Sequence, residues 1–219
     1  MRDDIKRKLR ADFFDEEYWE RGGGDKAGYA GLTTLEGMNR DMAAQFVPAF
    51  GLSQDTKVLD LGCGAGIPAT SDLAKHFVVT GVDISARMIA LARDNVPSAK
   101  FIQADMTEID FMPNSFDAAI SFYSMIHVPR DKQQRLLNNI ASWLRPGGFF
   151  VATMGASSAQ MILEKDWMGV PMFWSIYGTE TNLRLIREAG LEIMSAKKVR
   201  EIILGQRVTF LWITAQKPS

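Results

Sequence analysis

The chain is poor in the residues that form disulfides and metal clusters. Its 219 residues include one cysteine, Cys63, and two histidines. A single cysteine excludes an intramolecular disulfide and a cysteine metal cluster, and it fits a reducing compartment. The chain also lacks a run of about 20 apolar residues, the length that a membrane-spanning helix needs. Residues 1–15 are charged rather than apolar, so we expect a cytoplasmic protein with no membrane partner.

An excess of charge of one sign is also absent. Lysine and arginine number 25 against 26 aspartates and glutamates, which leaves a formal net charge of −1. Proteins that bind nucleic acid carry a basic patch or stripe, so we expect no nucleic-acid partner here. Apolar residues make up 47% of the chain, enough for the core of one structural domain. Oligomeric state is left open.

Strand-like apolar runs alternate with helical segments from Lys57 onward. Repeated alternation with short connections predicts an α/β fold, in which a doubly wound, Rossmann-like sheet is mostly parallel and has helices on both faces. A helix is expected at residues 67–76, directly after the first strand. A stretch of lower order is expected at about residues 156–178. Residues 191–199 and 206–215 are expected to pair as an antiparallel hairpin.

The most informative local feature is a glycine-rich loop after the first predicted strand. Asp60 ends that strand, and three glycines follow on alternate positions: Gly62, Gly64 and Gly66. Glycine lets the backbone adopt positive φ and approach a ligand closely. The dinucleotide fingerprint needs a glycine where this chain has Ile67, and the Gly-Lys-Ser/Thr ending of a P-loop is missing. The loop is therefore expected to hold a different ligand.

The acidic residues around the loop indicate which ligand this is. Asp83 ends the next apolar run, and in doubly wound folds an acid about 20 residues past the loop accepts hydrogen bonds from ribose hydroxyls. Asp60, at the mouth of the loop, favours a cationic group and would repel a pyrophosphate. A ribose together with an ammonium group describes S-adenosylmethionine (SAM).

Five segments, in this order and spacing, resemble the motifs of class I SAM-dependent methyltransferases. They are Val58–Gly66, Thr80–Ser85 with Met88, Gln103–Met106, Phe116–Asp117 and Leu144–Gly148. The resemblance covers about residues 55–155. It implies a seven-stranded sheet with an antiparallel C-terminal edge strand, SAM as cofactor and S-adenosylhomocysteine as product.

The resemblance also implies cofactor contacts. Asp60 would lie by the methionine amino group, the loop along the methionyl chain, and Asp83 on the ribose, while Ile84 and Met88 would pack against adenine. The implied cofactor-binding set is Asp60, Gly62, Cys63, Gly64, Gly66, Asp83, Ile84, Met88, Ala104, Asp105, Met106, Ser121 and Tyr29. Aspartate also caps helices well, which is an alternative explanation for Asp83 and above all for Asp105.

Methyl transfer is an in-line displacement, in which an enzyme orients the nucleophile and, where needed, takes its proton. His127 follows the fourth predicted strand, on the expected rim of the site, and an ordinary pKa of about 6.5 suits a general base. His127 is therefore the candidate catalytic residue; shaping the pocket is the alternative. His76 is expected at a helix end and is left outside the site.

Aromatic residues are expected to hold the methyl acceptor, as an adaptable apolar wall. The candidate acceptor-binding residues are Tyr18, Tyr123, His127, Trp167, Phe173, Trp174 and Tyr177. Core packing is the alternative for part of this set. The Asn/Asp-Pro-Pro-aromatic motif of amino-base methyltransferases and the Asp-Asn pair of metal-dependent catechol enzymes are both missing. We therefore expect no metal, and a small aromatic or heterocyclic acceptor methylated on O or N.

The expected organisation is one structural domain with two parts. Residues 1–50 would form an N-terminal helical lid that carries Tyr18 and Tyr29, and residues 51–219 the SAM-binding domain, with a cap insertion at about 156–178. Two other functions are left open. An NAD(P)-dependent oxidoreductase would share the fold and the ribose-binding acid, and a non-catalytic SAM-binding protein would share the loop.

Overall fold

The computed structural model describes residues 53, 55–157, 159–167, 170–203 and 206–219. Five parallel strands form the centre of the fold. They are β1 (Lys57–Leu61), β2 (Val78–Asp83), β3 (Lys100–Gln103), β4 (Phe116–Ser121) and β5 (Leu144–Gly155). In β1, Val58 and Leu59 are both buried although they point to opposite faces of the sheet, as parallel strands covered on both sides require.

Helices connect the strands and cover both faces of the sheet. They are α1 (Ala69–Leu73), α2 (Ala86–Asn95), α3 (Arg130–Trp143) and α4 (Thr179–Glu188), with a 3₁₀ turn at Met125–His127. The start of α2 is set by Ser85, whose hydroxyl accepts a hydrogen bond from the backbone N–H of Met88. This is the usual N-cap arrangement for serine.

Two apolar clusters on opposite sides of the sheet form the core. One includes Leu59 of β1 together with Leu136 and Ile140 of α3, and it also takes in α4. The other includes Val58 and Leu73 on the opposite face. The doubly wound α/β architecture expected from the sequence is confirmed.

The sheet has seven strands in the order β3-β2-β1-β4-β5-β9-β8, where β8 is Glu192–Ile203 and β9 is Gln206–Gln216. Strand β9 is antiparallel to both neighbours, which confirms the predicted C-terminal hairpin. Because β9 lies between β5 and β8, this antiparallel strand is the penultimate strand of the sheet, and β8 forms the edge. Consecutive buried residues explain this, since Phe210–Ile213 are all buried and need cover on both faces.

Two strands, β6 (Ala159–Trp167) and β7 (Val170–Ile176), form an antiparallel ribbon outside the main sheet. The sequence predicted lower order here. Register shifts interrupt the pairing at two places along the ribbon, and such irregularities remove the period-two alternation that marks a strand. The first helix is also shorter than the predicted 67–76. The proposed lid, with Tyr18 and Tyr29, lies outside the described residues.

Candidate active site

The glycine-rich loop folds back against the end of β2. The backbone N–H groups of Gly62 and Cys63 both donate to the carbonyl of Val82, at 2.8 and 3.0 Å. Gly62 has a φ of +78°, and a Cβ placed there would lie 2.3 Å from the Cβ of Ser124. Any larger residue would therefore be strained and would clash, which explains the glycine.

Asp83 holds the glycine-rich loop in place through hydrogen bonds to backbone N–H groups. One carboxylate oxygen accepts the N–H of Gly64 at 2.9 Å, and the other accepts the N–H of Ser85 at 3.0 Å. Among the described residues, no atom lies within 4 Å of the position that a Cβ on Gly64 would take. The Asp83 carboxylate is therefore held against the loop, and the described residues leave space on the Cβ side of Gly64.

Asp60 is buried at the base of the loop and is 3% exposed. Its carboxyl accepts a hydrogen bond from the hydroxyl of Thr70 at 2.6 Å. The pKa of Asp60 is raised to about 7, mainly because the carboxyl is buried. The hydrogen bond from Thr70 lowers the pKa in part, and the nearby charge of Asp83 adds to the rise. Two acids that disfavour each other's charge form a site for a cation and repel a phosphate. The sequence analysis missed Thr70 because no motif or neighbouring residue in the sequence distinguishes it from other threonines.

The side chain of Cys63 points away from the open side of the loop. It packs against a small cluster around Ile89 and Phe101, and its thiol lies near the carbonyl of its neighbour Gly64. Burial, followed by the charges of Asp60 and Asp83, raises the pKa of the thiol well above its usual range. The Cys63 side chain therefore packs the loop against this cluster and carries a proton at neutral pH.

The residues expected around adenine lie at the ends of β2 and β3. The N–H of Ala104 donates to the carbonyl of Asp83 at 2.9 Å. The carboxylate of Asp105 accepts the N–H of Thr107 at 2.8 Å, a contact within a turn, since no helix begins at this point of the described chain. The side chain of Met106 comes within 3.2 Å of the Cβ position of Gly62. Ile84 is half-buried and Met88 is buried.

Hydroxyl groups fasten the segment after β4 to the end of β1. Ser121 and Ser124 both donate to the carbonyl of Leu61, at 3.1 and 2.7 Å, and their hydroxyl oxygens are 2.6 Å apart. Ser121 is buried, so its side chain supports the loop from the interior of the protein. Ser124 is a second residue that the sequence analysis missed.

Tyr123 reaches across the sheet to the C-terminal hairpin. Its hydroxyl lies 3.1 Å from both carboxylate oxygens of Glu201 on β8, and Trp212 of β9 donates its indole N–H to the same carboxylate at 3.1 Å. Burial raises the pKa of Glu201, and the two hydrogen bonds lower it by less. Glu201 had no signal in the sequence, because it stands 78 positions from its partner.

His127 joins the 3₁₀ turn to the ribbon. Its Nδ1 lies 3.0 Å from the carbonyl of Phe173, and its ring lies on that of Trp174 with 4.8 Å between centroids. Because a carbonyl only accepts, Nδ1 carries the proton in this contact. Burial lowers the pKa of His127 to about 4, although the Phe173 bond opposes this. The imidazole is neutral at pH 7.

The remaining acceptor candidates lie in or beside the ribbon. Phe173 is buried, whereas Trp174 and Tyr177 are half-buried. The ring of Tyr177 lies under the guanidinium of Arg130, 4.6 Å from its centroid. Trp167 pairs with Val170 in the register of the ribbon, and its side chain lies outside the described part, as do Tyr18 and Tyr29.

This glycine loop with two acids, on the carboxyl edge of a 3-2-1-4-5 sheet with an antiparallel continuation, matches a known family. Residues 58–148 match the family described as "Methyltransferase domain". This region of the chain is therefore similar to the methyltransferase domain of SAM-dependent enzymes, and SAM is the cofactor that the glycine loop and the two acids of the sequence indicated.

Two curated relatives each match about half of this chain or somewhat less. Methyltransferase GfsG of Streptomyces halstedii is 36% identical over 49% of this chain and 40% of its own length. The O-methyltransferase rstn1 of Aspergillus nomiae is 35% identical over 42% of this chain and 43% of its own length. The chain thus spans less than half the length of these two relatives.

A solved structure matches nearly the whole length of this chain. The 1,6-didemethyltoxoflavin-N1-methyltransferase of Burkholderia thailandensis, with bound 1,6-didemethyltoxoflavin and S-adenosylhomocysteine, has a TM-score of 0.69 at 22% identity, over 99% of this chain and 90% of its own. At that identity the likeness shows the fold. No helix in the described ranges has the length and apolar content of a membrane span.

Proposed function

We propose that the protein transfers a methyl group from SAM to an O or N atom of a small aromatic or heterocyclic molecule, without a metal. The observation that carries the cofactor half is the pairing of a buried Asp60 with Asp83 around an open, positive-φ glycine loop. The groups of SAM fit this set: a cationic amine for Asp60, ribose hydroxyls for Asp83 and a sulfonium that needs no anion-binding amides.

The aromatic cluster at the same edge of the sheet supports the acceptor half. Phe210 and Trp212 are buried in it, and Tyr123 and Trp174 are half-buried against them. Flat aromatic walls with few polar groups suit a flat ligand whose orientation is set by one or two hydrogen bonds. The rstn1 relative is named an O-methyltransferase and the Burkholderia neighbour an N1-methyltransferase, so both acceptor atoms belong in a screen.

The proposed residues mainly orient the reactants. When bound, SAM supplies an electrophilic methyl group, and the proposed contacts that hold it are Asp60, Asp83 and the backbone of the glycine loop. Ser121 and Ser124 keep the segment after β4 against the loop. The apolar cluster excludes water and holds the acceptor in line, and such orientation contributes several kcal/mol to a displacement.

Two parts of the organisation remain proposals. Residues 1–50 would cover the cofactor, with Tyr29 near the methionine carboxylate and Tyr18 near the acceptor. The β6–β7 ribbon would cover the acceptor and is anchored through His127 and Phe173. Tyr29→Phe should then weaken SAM binding in calorimetry, and unchanged affinity would contradict this assignment.

A labelled-methyl assay tests the proposed function. The protein is incubated with methyl-labelled SAM and a panel of phenols and nitrogen heterocycles, and products are identified by mass spectrometry. We expect a methylated product from at least one class and a large loss of product for Asp83→Asn. A protein that binds SAM but methylates none of the panel would contradict the proposed acceptor class.

A further inference from the structure

Tyr123 is held in a backbone conformation that bulky residues avoid. Its φ is +55°, in the left-handed region where a large side chain is strained. The hydroxyl of Thr153 in β5 accepts the N–H of Tyr123. Strain of this kind is kept where a side chain must be aimed, and here it aims the phenol over β9 towards β8.

The group that Tyr123 meets is a buried carboxylate. Glu201 is 5% exposed, and its partners are the Tyr123 hydroxyl and the Trp212 indole. Among the described side chains, no lysine or arginine lies within salt-bridge distance of Glu201. A buried charge without a cation costs stability, so packing alone does not account for a glutamate here.

The nearest charged groups do not change this environment. Arg200 is adjacent in β8, and Arg207 pairs with Ile202, so both belong to the opposite face of the hairpin. Lys197 shares the face of Glu201 but lies four residues away, about 13 Å along the strand, and is exposed. Among the described groups, His127 also lies at this cluster through its ring contact with Trp174, and burial keeps its imidazole neutral by lowering its pKa to about 4.

The carboxylate lies on the edge of the sheet that carries the cofactor loop. Residues 199–203 of β8 pair with 206–210 of β9, and Phe210 pairs with Gly155 at the carboxyl end of β5. The Tyr123 ring packs edge-on against Phe210, with centroids 5.1 Å apart, and it belongs to the segment that Ser124 fastens to the loop. Tyr123 thus connects the loop region to Glu201.

We propose that Glu201 is the proton acceptor for the methyl-transfer step, reached through the hydroxyl of Tyr123. The inference rests on the proposed function and deepens it, since it requires an acceptor that carries an O–H or N–H. As the new O–C or N–C bond forms and the S–C bond of SAM breaks, the acceptor proton moves to the Tyr123 oxygen. The phenolic proton of Tyr123 moves to the Glu201 carboxylate, which later releases it to water.

The geometry favours this route over one through His127. Nδ1 of His127 is engaged by the carbonyl of Phe173, and the ring is stacked on Trp174, so the imidazole connects the turn to the ribbon. Burial opposes its protonation, with a pKa of about 4. At Glu201 burial has the opposite effect, because a raised pKa favours the proton-bound carboxyl.

The experiment compares two acceptors within each variant. The acceptor 4-methylphenol resembles a tyrosine side chain, with a pKa of about 10, and needs a base; 4-nitrophenol is largely ionised in mildly alkaline buffer and needs none. The variants are Glu201→Gln, Tyr123→Phe and Trp212→Phe, and the matched control is Glu192→Gln, an exposed carboxylate on the same strand. SAM affinity, measured by calorimetry, reports folding.

We expect Glu201→Gln and Tyr123→Phe to lower kcat/KM for 4-methylphenol by on the order of 100-fold, the usual contribution of a general base, and to leave 4-nitrophenol within a few-fold. Wild-type activity on 4-methylphenol should fall as Glu201 becomes protonated at low pH. This loss of activity at low pH, the acid limb of the pH profile, should vanish in Glu201→Gln. In Trp212→Phe it should move to higher pH, because the carboxylate loses the hydrogen-bond donor that lowers its pKa. Glu192→Gln should match the wild type.

Two results would overturn the inference. Equal losses on both phenols, with the acid limb retained, would show that Tyr123 and Glu201 only support the fold. The ratio of the two rates does not depend on the fraction of folded protein, so a destabilised variant still separates a proton acceptor from a structural residue. Wild-type protein that binds SAM yet methylates neither these phenols nor any member of the panel of phenols and nitrogen heterocycles would instead overturn the proposed acceptor class, and with it the inference.

Discussion

SAM binding should release a proton from Asp60. With a pKa of about 7, roughly half of the unliganded protein carries a neutral Asp60 at pH 7, and about nine-tenths at pH 6. The ammonium group of SAM favours the ionised carboxylate. If the complex holds Asp60 fully ionised, binding releases about 0.5 proton at pH 7 and about 0.9 at pH 6.

The same linkage sets the pH dependence of affinity. The dissociation constant should rise by up to about tenfold per pH unit below pH 7, because the proton on Asp60 then competes with the cofactor. The amino group of SAM itself loses its charge near the usual α-amino pKa of about 8. Affinity should therefore be greatest between roughly pH 7 and 8.

Calorimetry in two buffers measures this directly. The apparent binding enthalpies in phosphate and in Tris differ by the number of protons released times the difference in buffer ionisation enthalpy. Asp60→Asn keeps the side-chain shape and an acceptor for Thr70, so it should remove proton release at pH 6 and weaken binding at pH 7.5. Buffer-independent enthalpies and a flat affinity from about pH 6 to 8 would refute the assignment of Asp60 to the cofactor amine.

Three further predictions concern stability. Gly62→Ala places a Cβ 2.3 Å from that of Ser124 and should lower the unfolding free energy by roughly 1–3 kcal/mol, with partial recovery on adding Ser124→Gly in urea unfolding. The pKa of His127 is lowered from 6.5 to about 4, so the unfolded chain binds the proton first and stability should fall from about pH 6.5 to 4 by up to roughly 3 kcal/mol. His127→Gln should lose less over that range, and an equal loss would contradict the burial argument. Asn182 donates to the carbonyl of Gly155 in β5 at 2.8 Å and to that of Tyr177, directly after the ribbon, at 3.0 Å. Asn182→Leu should therefore cost roughly 1–3 kcal/mol and speed amide exchange at the end of the ribbon; unchanged exchange would contradict a role of Asn182 in holding that end.

Local sequence was enough to predict the frame of the fold and one side of the site. The apolar runs that end at Asp60 and Asp83 mark parallel strands, and the alternate glycines between them mark a loop with positive φ. Each of these signals is contained in a few consecutive residues. The structure brings the two acids and the loop together as expected, with Asp83 holding the N–H of Gly64.

The other side of the site depends on contacts between distant segments. Thr70, Ser124 and Glu201 acquire their functions only when the sheet is assembled, and none has a distinctive neighbour in sequence. Glu201 is one of 26 acidic residues, and only its burial beside Tyr123 separates it from the exposed ones. The ribbon was missed for a different reason, because its register shifts hide the strand periodicity.

Thermal unfolding with saturating SAM, S-adenosylhomocysteine, NAD and NADP tests the central claim, that the Asp60–Asp83 loop is a SAM site. At about 100 times Kd, binding adds about 2.7 kcal/mol, which at this length raises Tm by roughly 5 to 10 °C. We expect that shift with SAM and S-adenosylhomocysteine alone, and a much smaller one in Asp83→Asn. A shift with NAD or NADP and none with SAM would contradict the account.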